Sequence, residues 1–385
     1  MRNQAKKKGV PLAAAFVALL AALALAACGS SDSDSTSSSG GGGETTEAVA
    51  DTEAGGESSK HVSIAMEEIL TGVSFGQEIK EGIEGFSTED GNVSVEVQGP
   101  PTVEPEVAQK QAADMLAKQP EAFGFAPFPP ELWTRTMKNI TEQVDHVLVF
   151  NERPSSEPED VSAAPVQTFV GTDDKGEARE MLEEAVKLAK LPKSESGEVI
   201  LGQCVAQEAG VLAQRTEGFE EALANVLPNA KIEKFTSEVE PQANTKAWTT
   251  ELAAHPSPVL ATGTCDQDGT SLYKVKKEKG YDMIVGAMEL PPETIAGLKD
   301  GSIIAAMGTN WWLQGYTATR MLAEAARGAE LPEGFVNTGQ RLYTKKDIAA
   351  VEERAKEPAK FYAPLVEEMF ANGMPEAVPI EEAWK

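Results

Sequence analysis

The sequence predicts an α/β protein made of two doubly wound, Rossmann-like parallel-sheet domains joined by a hinge. Three observations predict it. Strand-like and helix-like apolar patterns alternate without a break from His61 to Arg327. That alternation restarts once, around residues 192–197, as it would where a second sheet begins. The chain has 385 residues, more than one hydrophobic core usually serves.

The elements follow in order. His61 to Met66 (HVSIAM) has the near-continuous apolar character of a strand buried on both faces, and Phe75 to Phe86 is amphipathic at helical spacing. Asn92 to Val97 alternates as a strand does, and Glu106 to Lys118 is helical with Pro105 at its start. Strand Ala122–Ala126, helix Pro130–Gln143, strands Val144–Phe150 and Thr168–Gly171 and helix Lys175–Lys190 complete the first series. The second runs strand Glu198–Gly202, helix Ala213–Leu227, strand Lys231–Phe235, helix Ala243–Ala254, strand Pro258–Thr262 and helix Gly269–Glu278. It continues with strand Asp282–Ala287, helix Pro292–Lys299, strand Ser302–Met307 and helix Gln314–Arg327. Open sheets of this kind bind ligands beyond the carboxyl ends of their strands, so two facing domains offer a cleft that a hinge can close.

Ahead of this series stands an address. Arg2 and Lys6 to Lys8 form a basic segment, followed by the apolar run Pro11–Ala27, of signal-peptide length and short for a membrane span. The run ends in Leu25-Ala26-Ala27-Cys28, which resembles a bacterial lipobox in which Cys28 is lipidated and becomes the mature N-terminus. From Gly29 to Ser59 the chain is mostly Ser, Gly, Thr, Asp and Glu, a composition that builds no core; as a flexible tether it reaches about 30 Å. The expected organisation is signal peptide 1–27, lipidated cysteine and tether 28–59, N-terminal lobe 60–191 plus about 330–385, and C-terminal lobe 192–329. The expected location is extracytoplasmic, anchored to the bacterial cell membrane.

Composition excludes several functions. Acidic residues outnumber basic ones 61 to 34, a formal charge of −27 that repels phosphate backbones, so no nucleic-acid partner is expected. His61, His146 and His255 and the three cysteines lie far apart, with no pair at metal-ligand spacing, and no P-loop or HExxH motif occurs. Neither metal nor cofactor is expected.

Six segments then match, in order, a known family. Phe75–Gly82 (FGQEIKEG) resembles its "F…K-x-G" helix behind the first ligand loop, and Phe169–Asp174 (FVGTDD) its "V-G-x-D" segment. Arg215-Thr216-Glu217-Gly218-Phe219 matches "R-x-x-G-F", Val285-Gly286 with Pro291 resembles "V-G-F-D-x-x-P", Lys299–Ile303 matches "K-D-G-x-I", and Gln314-Gly315 the "Q-G" of the next helix. On these motifs the chain resembles the type I periplasmic binding proteins of ABC importers, in the sugar-binding branch related to ribose-binding protein. The resemblance implies a monomer that performs no chemistry, captures a sugar or similar polar solute by hinge closure and presents it to a membrane permease.

Carried over position by position, Phe75 stacks on the ligand. Asn151, with Glu152 or Arg153, stands where the family has an acid–arginine pair, and Arg215 supplies a guanidinium suited to bidentate hydrogen bonding. Thr309, Asn310 and Trp311 occupy the loop that carries a ligand-binding glutamine. Three departures move the polar groups. The first loop, Leu70–Ser74, lacks the family's asparagine; Ala287 and Met288 replace its aspartate, with Glu289 one step later; and Gly263-Thr264 replaces an Asn-Asp pair, with Asp266 and Asp268 following. A sugar or sugar derivative is the first reading of the solute and another small polar or amphipathic molecule the second.

Each assignment has a structural counterpart. Arg215 could bridge to Glu217 or Glu220 on the surface; as a ligand contact, its replacement by alanine should abolish binding and leave the ligand-free melting temperature nearly unchanged. Trp311 and Trp312 are consecutive, so at most one faces the cleft. Asn151–Arg153 could be a solvated loop, and Phe75 could pack in the core with Ile79 and Ile83. Cys204 and Cys265 follow the first and third strands of the second domain, neighbours in a 2-1-3-4-5 sheet, and are either a disulfide or two free thiols. Gly72-Val73-Ser74-Phe75-Gly76 fits the G-x-S-x-G nucleophile elbow, with His146 or His255 as candidate bases, but several loop residues separate Ser74 from the preceding strand. A ligand-sensing lipoprotein reporting to a membrane receptor is the third reading.

Overall fold

A computed structural model describes residues 60–206 and 210–384; the signal segment, Cys28 and the tether lie outside the described residues. The first sheet is built from β1 (Val62–Glu67), β2 (Val93–Gln98), β3 (Ala122–Phe125), β4 (His146–Phe150), β5 (Thr168–Gly171) and β11 (Gly334–Asn337), in the order β11-β5-β4-β3-β1-β2. Every pairing in it is parallel. The second comprises β6 (Glu198–Gln203), β7 (Lys231–Thr236), β8 (Leu260–Gly263), β9 (Ile284–Met288), β10 (Ala305–Thr309) and β12 (Gln340–Thr344), in the order β12-β10-β9-β8-β6-β7. Here β12 runs antiparallel to β10 and the other pairings are parallel. Both sheets contain the 2-1-3-4-5 order expected from the alternation.

The helices cover both faces of each sheet, as parallel strands require. On the first sheet, α1 (Ser74–Asp90), α9 (Trp311–Ala326) and α11 (Pro358–Met369) enclose one core, which includes Ile79, Ile83, Trp312, Tyr316 and Tyr362. On the other face α2 (Pro105–Leu116) and α3 (Pro130–Thr141) pack with Phe123, Phe125, Trp133 and the C-terminal Trp384. On the second sheet, α4 (Asp174–Ala189) and α5 (Gly210–Val226) cover one face. The other is covered by α6 (Pro241–Ala254), α7 (Asp266–Lys279), α8 (Pro292–Asp300) and α10 (Ile348–Lys356).

The lobe boundaries therefore differ from those expected at 191/192 and 329/330. Helix α4 follows β5 of the first sheet yet buries Ala178, Met181 and Leu182 in the core of the second lobe. Helix α9 follows β10 of the second sheet yet packs Trp312 and Tyr316 in the first. The chain crosses again between β11 and β12, returning residues 340–356 to the second lobe. Apolar periodicity says that a helix is buried, not which sheet buries it.

Two helix crossings explain glycines of the family motifs. A Cβ at Gly82 would run into the Trp312 carbonyl, and one at Gly315 into the Ile79 carbonyl, so α1 and α9 touch backbone to backbone. Gly218 makes the same approach to the Lys175 carbonyl between α5 and α4. Among the described residues no helix is long and apolar enough to cross a membrane.

Candidate functional site

The carboxyl ends of β1, β4, β6, β8, β9 and β10 converge on a cavity of about 80 Å³ between the lobes. Its wall is largely apolar: Leu70 and Val73 from the loop after β1, Phe75 at the start of α1, Val211 and Leu212 from α5, and Trp311 at the start of α9. Phe75 and Trp311 form an aromatic corner, their ring centres 5.4 Å apart at 42°. Trp312 points the other way, stacked between Tyr316 and Tyr362 in the first lobe's core at 5.1 and 5.6 Å.

The lobes are closed on each other. Ser74 Oγ, on the first lobe, donates to Asp266 Oδ2 of the second at 2.8 Å. The Val211 N–H, at the start of α5, donates to Glu152 Oε1 from the first lobe at 3.0 Å. Behind the cavity Arg354 on α10 reaches Glu78 on α1 at 2.8 Å.

Arg215 lines the cavity, but protein partners engage its guanidinium. Nε donates to Glu177 Oε1 at 2.8 Å, Nη1 to the Thr264 carbonyl at 3.0 Å, and Nη2 to Glu289 Oε1 at 2.5 Å and to Thr309 Oγ1 at 3.3 Å. The Thr309 hydroxyl donates in turn to Glu177 Oε2 at 2.8 Å, and the Trp311 indole N–H to Glu289 Oε2 at 2.7 Å. Arg215 is thus the counter-charge of two buried carboxylates rather than a surface bridge to Glu217 or Glu220. Its expected indifference to apo stability is reversed, since a buried ion left without its partner is costly.

Arg153 does not line the cavity. It is fully buried, paired with Asp174 at 2.9 Å, and donates from Nε to the Ala383 carbonyl at 2.8 Å. The rings of Phe169 and Trp384 flank it at 5.9 and 5.5 Å. It ties the C-terminus to the cleft floor, a contact invisible in sequence because 230 residues separate the partners. Asn310 also turns away: its Nδ2 donates to the Thr338 carbonyl at 3.0 Å and its Oδ1 accepts from Tyr362 at 3.2 Å, tying the chain crossings together. Asn151, Glu152, Asp266 and Glu289 do line the cavity, as does Phe75. Asn151 and Glu289 have positive φ (62° and 64°), and backbone in this region is costly except for glycine and, to a lesser degree, asparagine.

Cys204 and Cys265 are joined as a disulfide with Cα atoms 6.2 Å apart, on the cavity wall. Asp268, beside them, is buried and accepts the Cys265 N–H at 3.1 Å and the Trp248 indole N–H at 2.7 Å. Sequence reading missed Glu177, Asp174 and Thr264, which hold the two arginines. Glu177 stands one helical turn beyond the recognised FVGTDD segment, on the helix that crosses to the second lobe.

Burial dominates the electrostatics. It pushes the Glu152 and Glu177 carboxyls up to about 8, against the pull of Arg153 and Arg215 respectively, and Asp266 up to about 6. The elbow reading of Ser74 loses both of its candidate histidine bases. His146 and His255 stand at the amino ends of β4 and β6, opposite the cleft, and His255 meets Glu198 there at 3.0 Å. Glu233, Glu251 and His255 bring donor atoms within 4.8 Å of one another on that distant face, a grouping that spacing along the chain did not reveal.

A profile of the periplasmic binding protein domain matches residues 70–330. No curated protein sequence matches the chain. Among solved structures, an ABC transporter solute-binding protein from Agrobacterium vitis with bound D-fucose is 18% identical, with a TM-score of 0.68 over 78% of this chain and 99% of that one. One from Burkholderia graminis in complex with D-arabinose is 20% identical, with a TM-score of 0.67 over 75% and 97%. A glucose-galactose binding protein from Geobacillus stearothermophilus is 19% identical, with a TM-score of 0.64 over 75% and 99%. Two lobes crossed by the chain, a cleft at their strand ends, and a profile spanning both lobes lead to one conclusion: the chain belongs to the periplasmic binding protein family, whose members bind solutes and do not transform them.

Proposed function

We propose that this protein is an extracytoplasmic solute-binding protein that captures a sugar or sugar derivative between its lobes by hinge closure and delivers it to an ABC transporter permease. The observation that carries this reading is the closed cavity at the strand ends, bridged from lobe to lobe by Ser74–Asp266 and Glu152–Val211. Contacts made only in the closed form convert binding into closure, and a closed form differs in shape from the empty one, which a permease can read. Arabinose, fucose, glucose and galactose are ligands of structural neighbours and supply the first candidates. In this reading Phe75 and Trp311 cover the apolar face of the ring, Asn151, Glu152, Asp266 and Glu289 meet its polar edge, and Arg215 positions Glu289.

Lipidated Cys28 and the tether hold the module at the membrane, with the protein acting as a monomer. A Cys28→Ser variant that still partitions with membranes would remove the anchor from this account. Function is tested by thermal denaturation of the purified protein with monosaccharides and polyols, read beside small-angle scattering. A ligand at 100 times its dissociation constant stabilises by about 2.7 kcal/mol. A stabilising sugar that also shrinks the radius of gyration supports capture by closure; one that stabilises without compaction refutes the hinge.

A further inference from the structure

Buried charges around the cavity do not balance. Glu152, Asp174, Glu177, Asp266 and Glu289 bring five carboxyls and Arg153 and Arg215 two guanidiniums, with all seven residues exposed by 3% or less. Both guanidiniums are engaged inside the protein, Arg153 by Asp174 and the Ala383 carbonyl, Arg215 by Glu177, Glu289 and the Thr264 carbonyl. Two carboxyls on the cavity wall, Glu152 and Asp266, are left without an ion pair among the described residues. Asp266 accepts the Ser74 hydroxyl. Glu152 Oε1 accepts the Val211 N–H, whereas Glu152 Oε2, lying against Gly210, is buried and has no hydrogen-bond partner among the described residues. An orphan carboxylate oxygen in a water-poor site costs free energy until something donates to it.

The kind of donor follows from the rest of the wall. A neutral polyol presents hydroxyls that both donate and accept, and its acceptors would have only the Asn151 amide to meet, the Arg215 guanidinium of this wall being committed to Glu177, Glu289 and the Thr264 carbonyl. What the cavity offers is carboxylate acceptors, apolar side chains and the faces of Phe75 and Trp311. That combination suits a positively charged nitrogen on a compact carbon frame, held by charge-assisted hydrogen bonds and by attraction to aromatic rings.

We propose that the captured solute carries a protonated amine, whose cationic nitrogen is held by Glu152 with Asp266 as the second carboxyl. The inference rests on the capture function proposed above; within its sugar reading the solute is an amino sugar. An ammonium supplies the charge that the ligand-free site lacks. Without it, burial holds the Glu152 carboxyl protonated up to about pH 8, with Arg153 pulling down and Asp174 pushing up, and raises Asp266, near Glu289 and Asp268, to about 6.

Isothermal titration of the full protein at pH 7 with matched pairs tests this: D-galactosamine against D-galactose, D-glucosamine against D-glucose, and ethanolamine as a protonated amine that is not a sugar. At least one amine should bind tenfold or more tighter than its neutral parent, and Glu152→Gln, which keeps the acceptor for the Val211 N–H and removes the charge, should bring that ratio near one. Binding of ethanolamine without any sugar keeps the inference and overturns the sugar reading. A neutral parent that binds as well as its amine overturns the inference and keeps the sugar reading. Binding of none of the five probes, or an amine preference that Glu152→Gln leaves intact, overturns the assignment.

Discussion

Replacing Arg215 by methionine keeps most of the side-chain volume and removes the charge that Glu177 and Glu289 share. The guanidinium lies 2.6 Å from Glu177 and 2.5 Å from Glu289, and its own exposure is 3%. Breaking a buried ion pair by deleting one partner costs about 3–5 kcal/mol, because the surviving ion stays desolvated. For a protein of this size that lowers the melting temperature by roughly 5–10 °C. The pH dependence separates this cause from lost packing. Without Arg215 the Glu177 carboxyl, which burial already raises to about 8, titrates further above its ordinary value. An acid whose folded pKa is raised adds stability fully present below the unfolded pKa and lost as pH rises toward the folded one. Because Glu177 of the parent itself titrates near 8, the deficit of the variant should be level from pH 5 to 7 and widen as pH rises past 8, read as urea or thermal denaturation of the ligand-free protein. A melting temperature within about 1 °C of the parent at both pH 7 and pH 9 would refute the reasoning and return Arg215 to the role of a free ligand contact.

Four further outcomes follow from the same coordinates. The ligand-free parent should itself lose stability between pH 5.5 and 7.5, by up to about 2.5 kcal/mol for each of Glu68 and Glu152, whose carboxyls burial raises from 4.5 to about 8; a stability flat over that range would contradict it. Gly82→Ala and Gly218→Ala should each destabilise although alanine is the better helix former, because the new Cβ meets the backbone of Trp312 or Lys175; a rise in melting temperature would place those helices further apart. Reduction of the Cys204–Cys265 disulfide, which spans 61 residues, should cost about 4 kcal/mol by loop entropy, measured as the shift in urea midpoint with and without reductant. Trp311→Leu and Trp312→Leu should each cost about 3 kcal/mol or more, since both rings are buried, but only Trp311→Leu should also weaken solute binding strongly; equal effects of the two on binding would show the assignment of faces to be mistaken.

Much of the fold was legible because its signals are local. Strands such as HVSIAM and AFGFA, helices with apolar residues at helical spacing, and the restart near residue 195 predict two doubly wound sheets, since burial on both faces and on one face leave different periodicities. The stretch after Arg327 was not resolved into elements: β11 and β12 are short and α11 carries Pro364 within it, so periodicity is weak there. For the site, position after a strand was enough to bring Phe75, Asn151, Glu152, Asp266, Glu289 and Trp311 to one cavity, because all strand ends of a parallel sheet face the same way. Side-chain direction was not encoded locally. Arg153 and Asn310 follow strands as well, yet turn to the C-terminal segment and the crossings, and Arg215 points at a carboxylate 38 residues away. Sequence by itself determined that two sheets would meet at a cleft and that acids would outnumber bases. Only the tertiary structure decided which lobe each crossing helix joins, and which buried carboxyls receive a counter-ion and which wait for one, because an ion pair depends on distances between segments far apart in the chain.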